Sequence, residues 1–143
     1  MMSPVYKLYI EGSGSIEGRF VMSAKKKVSN RTSYYIVSLD PDPTLDDRGA
    51  STILGKIRGN QIGSQYIFTD HGLSAEKAKV PSMLRKELGL VRFAFDSGGP
   101  SKIDVWVPAV NSTGSSCAVW QPTDENGTIE SNVDRALKNV KIL

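Results

Sequence analysis

Short stretches of alternating apolar and polar side chains recur along this chain and restrict it to a mainly β architecture. They include VYKLYI at 5–10, SYYIVSL at 33–39 and KIDVWV at 102–107, with Gly-, Pro-, Asp- and Ser-rich pieces between them. Because successive side chains of a strand point to opposite faces, this pattern predicts an antiparallel sheet or barrel. The 143 residues, 39% of them hydrophobic, suffice for one domain with a core.

Three segments depart from simple alternation. LSAEKAK at 73–79 begins with a helix-capping serine after Leu73 and ends before a proline, which predicts one or two helical turns. TIESNVDRALKN at 128–139 has the spacing of a modest amphipathic helix. PSMLRKELGLVRFAFD at 81–96 fits a helix and a strand; Gly89 and the aromatic end favour a short helical or turn start and a strand from about Leu88.

The segment ILGKIRGNQIGSQYIFTDHG, residues 53–72, reads as two strands joined by a glycine turn, yet it carries two cations one residue apart. On an extended strand Lys56 and Arg58 emerge on one face, and Ile53 and Ile57 on the other. A solvated strand face would also give this pattern, because Lys and Arg are mostly exposed. The residues alone leave both interpretations open.

Charge is distributed unevenly along the chain. The net charge is +3 with a pI near 9.0, too weakly basic to distinguish nucleic acid from a membrane surface as partner. Basic residues, Lys25, Lys26 and Lys27 among them, gather between positions 19 and 31, where there is no acid. The run is either a solvated loop or an electrostatic attachment patch.

Other classes of function have little support in the sequence. The single cysteine, Cys117, cannot form an internal disulfide, and no His/Cys spacing indicates a zinc site. His71 beside Asp70 looks like half of an acid–base pair, but it lies in a turn with no nucleophile identifiable by pattern, so no enzyme is predicted. No cofactor or metal is expected. Without a signal peptide or long apolar run, a soluble intracellular protein is expected.

Four stretches in order carry a resemblance to a known family. They are NRTSYYIVSLDP (30–41), ILGKIRGNQIGSQYIFTDHG (53–72), LRKELGLVRFAF (84–95) and GGPSKIDVWVPAV (98–110). Together they resemble the first half of the tubby C-terminal domain, most specifically in the second and fourth stretches. The resemblance covers most of 17–110, and 1–143 is interpreted as a single incomplete tubby-like domain.

That family's fold is a closed β-barrel threaded by a hydrophobic helix. The resemblance therefore implies a mainly β fold here, an antiparallel sheet or partial barrel with one or two short helices that lacks the central C-terminal helix. A fragment of a longer protein is expected, and a dimer or an open sheet if the piece stands alone, because half a barrel exposes sheet edges and an apolar interior.

The resemblance also implies a function: a membrane-tethered adaptor that binds phosphatidylinositol bisphosphate, with a role in membrane-protein or ciliary trafficking. The positions that match the family's head-group residues are Lys56, Arg58 and Arg85. Tyr34 stands where the family usually has an asparagine; its phenol can also donate a hydrogen bond. Lys25, Lys26 and Lys27 would supply general attraction to an anionic membrane.

The expected location is the cytoplasmic side of the plasma membrane, with the nucleus or a cilium as other sites. The alternative function is a DNA-binding transcription regulator. The lysine run would suit DNA, but no aromatic residues interleave with it and no recognition helix is evident. The protein cargo and the preferred phosphoinositide are not encoded in any pattern.

Overall fold

A computed structural model describes residues 3–14, 18–28, 31–44 and 51–139. Seven antiparallel strands, each hydrogen-bonded to its neighbours in chain order, form one sheet that curls into a half-barrel. The strands are β1 Val5–Ile10, β2 Arg19–Lys26, β3 Tyr34–Ser38, β4 Ile53–Gly59, β5 Gln65–Asp70, β6 Glu87–Asp96 and β7 Gly99–Trp106. A single α-helix in the described chain, α1, spans Ile129–Asn139, and 3₁₀ turns occupy Pro81–Met83 and Glu125–Gly127. The predicted fold class is confirmed.

The sheet order follows the chain because local turns join neighbouring strands. In the β4–β5 turn, the Asn60 side chain donates to Ser64 Oγ at 2.9 Å and accepts from the Ser64 amide at 2.9 Å. Gly63 closes that turn with a φ of 74°, a left-handed conformation that glycine adopts readily. The glycine turn predicted between residues 53 and 72 is therefore present.

One face of the sheet, here called the helix face, carries the buried core. Leu90 on β6 is buried with Ile129 and Val133 of α1, and the side chains of Trp106 and Trp120 pack against them. The two tryptophans are thus packing residues. The amphipathic helix predicted at 128–139 is confirmed, because its first two apolar positions dock on this face.

A buried carboxylate fixes the start of α1. Glu87 is 1% exposed, and its Oε2 accepts from the Ile129 amide at 2.7 Å. The first amides of a helix have no partner within it, so this side chain satisfies one of them. The bond ties α1 to the start of β6.

The opposite face, here called the cleft face, is apolar and open. It forms a cleft of about 550 Å³. Its lining residues are Tyr6, Ala24, Tyr35, Ile57, Gly63, Tyr66, Phe68, Val91, Phe93, Phe95 and Pro100. No described element covers it, since α1 packs on the other side against β6. The central helix that the chain was expected to lack is likewise absent from the described residues.

Of the one or two helical turns predicted at 73–79, the structure contains a single turn and no helix. Residues 75–77 form only a turn, in which the amides of Lys77 and Ala78 both donate to the Ser74 carbonyl. Leu73 pairs instead with Leu84 in a parallel bridge, which pulls the chain out of a helical path. The pairing of Leu73 with Leu84 here outweighs the helix-capping tendency of Ser74.

The segment 81–96 follows its prediction, with a 3₁₀ turn and then β6 from Glu87.

Candidate anion-binding site

Lys56 and Arg58 lie on β4, and both face the helix side of the sheet. Register establishes this: Arg58 stands opposite Ile67, which stands opposite Leu90 of the core. Side chains of directly opposed residues lie on the same face. The two cations therefore emerge side by side from one rigid strand, as their spacing predicted.

A close backbone approach holds β4 against β5 next to Lys56. A Cβ atom at Gly55 would lie 2.2 Å from the Thr69 carbonyl oxygen, a distance that no side chain tolerates. Only glycine fits at position 55, because the backbones of β4 and β5 lie so close together there. This close approach is next to Lys56.

Tyr34 supports Arg58 from the neighbouring strand. The two residues stand opposite each other on β3 and β4, and the Arg58 Cζ lies 5.3 Å from the centre of the Tyr34 ring. A guanidinium over an aromatic face is attracted by the ring quadrupole and loses rotational freedom. Tyr34 therefore contacts the site through its ring, and this stacking is a role that the sequence did not predict.

Lys56 experiences the positive charge of its surroundings. Its Nζ donates to the His71 carbonyl at 3.3 Å. Burial lowers the pKa of Lys56 below its usual 10.5; the positive charges of Arg58, Arg85 and Lys77 lower it further, and Asp70 acts in the opposite direction. Several cations therefore converge around one ammonium group.

Arg85 reaches this cluster through the β5–β6 connection. Its amide donates to the Leu73 carbonyl at 2.8 Å, and the Leu73 amide donates to the Met83 carbonyl at 2.8 Å. A Cβ atom at Gly72 would lie 2.5 Å from the Arg85 Cα, so the two backbones touch. The structure thus brings Arg85 near Lys56, although 29 positions separate them in sequence.

Two further side chains brace the segment around Arg85, and sequence reasoning did not assign either of them. Asp70 Oδ1 accepts from the amides of Gly72 and Lys86, each at 2.9 Å. Gln121 Nε2 donates to the Leu84 carbonyl at 2.6 Å. An Asp followed two positions later by Gly is a turn-forming signal that could have identified Asp70; nothing in the sequence marks Gln121.

The same bonds change the interpretation of Asp70 and His71. The Asp70 carboxylate is engaged by backbone amides, and His71 contributes its carbonyl to Lys56. No described hydrogen bond joins their side chains, so they do not form an acid–base pair here. Within the described ranges no three His, Cys, Asp or Glu residues are grouped as metal ligands.

The lysine run is divided between the two faces of the sheet. Lys25 ion-pairs with Asp42 at 3.1 Å on the helix face, whereas the Lys26 Nζ lies 6.0 Å from the ring centre of Tyr35, a residue of the cleft face. Lys27 follows the end of β2, and its amide donates to the Tyr34 carbonyl at 2.8 Å. Lys25 and Lys26 are therefore the last two residues of β2, and Lys27 follows the strand. The solvated-loop interpretation does not hold for Lys25 and Lys26.

The chain is similar to known proteins along its whole length. The sequence model of the Tub family matches residues 1–143. Mouse Tubby-related protein 2 is 31% identical over 140 residues, covering 94% of this chain and 24% of the relative. Human Tubby-related protein 2 is 31% identical over 146 residues, covering 98% of this chain and 27% of the relative.

A more distant relative gives the same result. Tubby protein homolog 1 of Caenorhabditis elegans is 26% identical over 152 residues, which cover 99% of this chain and 35% of that protein. The chain thus spans about a quarter to a third of the length of these curated relatives. None of the helices in the described ranges is long and apolar enough to cross a membrane.

Proposed function

This chain belongs to the Tub family, and we propose that it binds phosphorylated inositol lipid head groups and so attaches itself to a membrane surface. The observation that carries the proposal is that Lys56 and Arg58 share the helix face and that Arg85 lies near enough to Lys56 for its positive charge to act on it. Among the described ion pairs none involves these three residues. A cluster of like charges that takes part in none of the described ion pairs is a favourable place for an anion.

The chemistry of the three side chains suits phosphate. The guanidinium groups of Arg58 and Arg85 can each donate two parallel hydrogen bonds to phosphate oxygens, and Lys56 adds a compact charge. Because β4 and the stacked Tyr34 ring already hold Arg58, little conformational entropy is lost on binding. An anion would also relieve the mutual repulsion that lowers the pKa of Lys56.

The wider role we propose is that of a reversible, membrane-tethered adaptor at the cytoplasmic face of the plasma membrane, with trafficking of membrane proteins, including ciliary ones, as its context. Lys25 and Lys27 would add general attraction to an anionic leaflet. Hydrolysis of the lipid would release the protein. We propose no catalytic role and no cofactor.

DNA binding, the alternative, is less well supported. Because Lys25 and Lys26 point to opposite faces of the sheet, the lysine run does not form one continuous basic strip in the described chain. The sole described α-helix, α1, packs its apolar positions on the sheet and carries both Glu130 and Asp134. Because α1 also carries Arg135 and Lys138, its formal charges sum to zero, and its composition does not favour the phosphate-lined major groove.

Vesicle binding tests the proposal. Basic residues near an anionic leaflet contribute about 1 kcal/mol each, so the double variant Lys56→Ala with Arg58→Ala is expected to bind vesicles containing phosphatidylinositol bisphosphate roughly 30-fold more weakly. Co-sedimentation at fixed ionic strength measures the change.

The matched control is Lys102→Ala with Arg135→Ala, which removes two charges at exposed positions on β7 and α1. It is expected to bind nearly as well as the unmodified chain. Equal affinity of the two double variants would refute the site assignment, and salt-sensitive binding to duplex DNA without lipid preference would support the alternative.

A further inference from the structure

The helix face carries one more cation in line with the site. Lys25 on β2 stands opposite Ile36, and Ile36 stands opposite Lys56, without a bulge at these positions. Opposed side chains share a face, and neighbouring strands are about 4.8 Å apart, so the α-carbons of Lys25 and Lys56 are roughly 10 Å apart. Ile36, 9% exposed, lies between them.

The Lys25 ammonium is occupied by an acid from the same chain. Its Nζ lies 3.1 Å from Asp42 Oδ1, and the two side chains are 20% and 77% exposed, respectively. The cation is therefore held against the protein, while the carboxylate stands in water. Exposed ion pairs of this kind contribute little to stability, because hydration competes with them. The carboxylate is the partner that another anion can displace.

The turn that presents Asp42 is well anchored. Asp40 Oδ1 accepts from the Asp42 amide at 2.9 Å, and the Asp40 amide donates to Ser38 Oγ at 3.0 Å. Ser23 Oγ donates to the Asp40 carbonyl. Ser23 and Ser38 are 1% and 0% exposed. The backbone at Asp42 is thus fixed beside Lys25, and the side-chain torsions remain free to move the carboxylate away.

Both ammonium groups are engaged at the same end of the sheet. Asp42 follows β3, and His71, whose carbonyl binds Lys56, follows β5. In antiparallel pairing the ends of β3 and β5 flank the start of β4, so Lys25 and Lys56 have their partners at one edge. A ligand held by Lys56 and Arg85 at that edge has two further cations near it: Lys77, whose charge acts on Lys56, and Lys25, two strands away on the helix face.

We propose that Lys25 is a further phosphate-binding residue of this site, and that Asp42 acts as an intramolecular competitor which the phosphate of an inositol lipid displaces. The inference rests on the proposed function above. A phosphate monoester carries about −1.5 to −2 charges and three acceptor oxygens, so it outcompetes a single carboxylate for the ammonium. Asp42 therefore lowers the affinity of a ligand that uses Lys25, because that ligand must first displace the carboxylate, and it does not affect a ligand that does not reach Lys25.

A double-mutant cycle tests this proposal. Asp42→Asn keeps the shape of the side chain and removes its charge, and it is expected to bind vesicles containing phosphatidylinositol bisphosphate about two- to fivefold more tightly. Lys25→Met keeps an apolar side chain of similar length against Ile36 and is expected to bind more weakly. In the Lys25→Met background, Asp42→Asn is expected to have no effect.

The control is Asp104→Asn, which makes the same change in net charge at an ion pair with Lys102 on β7. An equal gain in Asp104→Asn, or a gain from Asp42→Asn that persists without Lys25, would overturn the proposal. Repeating the cycle with soluble inositol 1,4,5-trisphosphate separates the head group from the bilayer. The same order of affinities is expected; an order seen only on vesicles would place Lys25 against the membrane and overturn its role as a phosphate ligand.

The two proposals fail in different ways. If the unmodified chain binds vesicles and loses binding in Lys56→Ala with Arg58→Ala, while Asp42→Asn has no effect, only the role of Lys25 and Asp42 is wrong. If the unmodified chain does not bind bisphosphate vesicles, both are wrong.

Discussion

At the scale of single residues, Lys56 lies where its positive charge is opposed by burial and by neighbouring cations, and the same surroundings favour an anionic ligand. Burial and the positive charges of Arg58, Arg85 and Lys77 lower its pKa, so its charged form is less strongly favoured than that of a lysine in water. Substitution by a neutral residue would remove this repulsion. Groups held against such opposition are common at binding sites, where a ligand supplies the missing counter-charge.

Tyr34 provides a test of how Arg58 is held. If the ring and not the phenol oxygen supports the guanidinium, Tyr34→Phe should bind bisphosphate vesicles as well as the unmodified chain. Tyr34→Leu should bind about two- to fivefold more weakly, because an exposed cation–π contact contributes about 0.5–1 kcal/mol. Vesicle titration measures both.

Tyr9→Leu is the matched control, since Tyr9 is an exposed tyrosine on β1 outside the cluster. A loss in Tyr34→Phe as large as that in Tyr34→Leu would show instead that the phenol contacts the ligand directly.

At the scale of elements, the β5–β6 connection acts as a bracket that carries Arg85 to β4. Asp70 binds the amides of Gly72 and Lys86, and Gln121 binds the Leu84 carbonyl. The bonds to Lys86 and to Leu84 join residues that are 16 and 37 positions apart in sequence, respectively. The position of Arg85 therefore depends on the packing of this connection as much as on the strand that follows it.

Gly72→Ala tests the bracket. Its Cβ would lie 2.5 Å from the Arg85 Cα, so the backbone must shift. Overpacking of this kind costs about 1–3 kcal/mol. Urea unfolding should show that loss of stability, and vesicle binding under conditions where the variant is folded should also be weaker, because Arg85 moves.

Gly98→Ala serves as its control, since a Cβ atom there meets only the Asp96 side chain at 3.5 Å, an ordinary contact. Unchanged vesicle binding by a folded Gly72→Ala protein would remove Arg85 from the site.

At the scale of the whole molecule, the half-barrel has one satisfied face and one open face. The helix face is closed by α1 over Leu90, whereas the cleft face leaves side chains such as Phe95 (56% exposed) and Val105 (60% exposed) in contact with solvent. Apolar patches of this extent are uncommon on monomers. None of the described residues covers the cleft face.

The 143-residue chain by itself is expected to self-associate through this face. Light scattering should give a mass above 15.6 kDa that rises with concentration. The variant Ile103→Thr with Val105→Thr keeps the β-branched shape on β7 and lowers the exposed apolar area, so it should associate less. A constant mass of 15.6 kDa for the unmodified chain across the range would contradict the expectation.

The features of this fold that the sequence predicted are those that depend on local interactions along the chain. Alternation gave the strands and the faces of their regular stretches, because side-chain direction there depends on position; at register shifts, such as the one where Ser38 pairs with Ile53, it does not suffice. It therefore predicted that Lys56 and Arg58 emerge together, and the 3.6-residue period predicted α1. Arg85 and Tyr34 were identified through the family resemblance, which residue spacing alone does not supply.

The tertiary structure decided the rest, because it depends on pairing between distant residues. Next to the Leu73–Leu84 bridge the segment predicted to hold one or two helical turns forms a single turn, and Asp70 binds the Lys86 amide only because β6 lies beside β5. The ion pair of Lys25 with Asp42 likewise needed the register of β2, β3 and the turn that follows. Local sequence fixes which way a side chain points; only the folded sheet fixes what it meets.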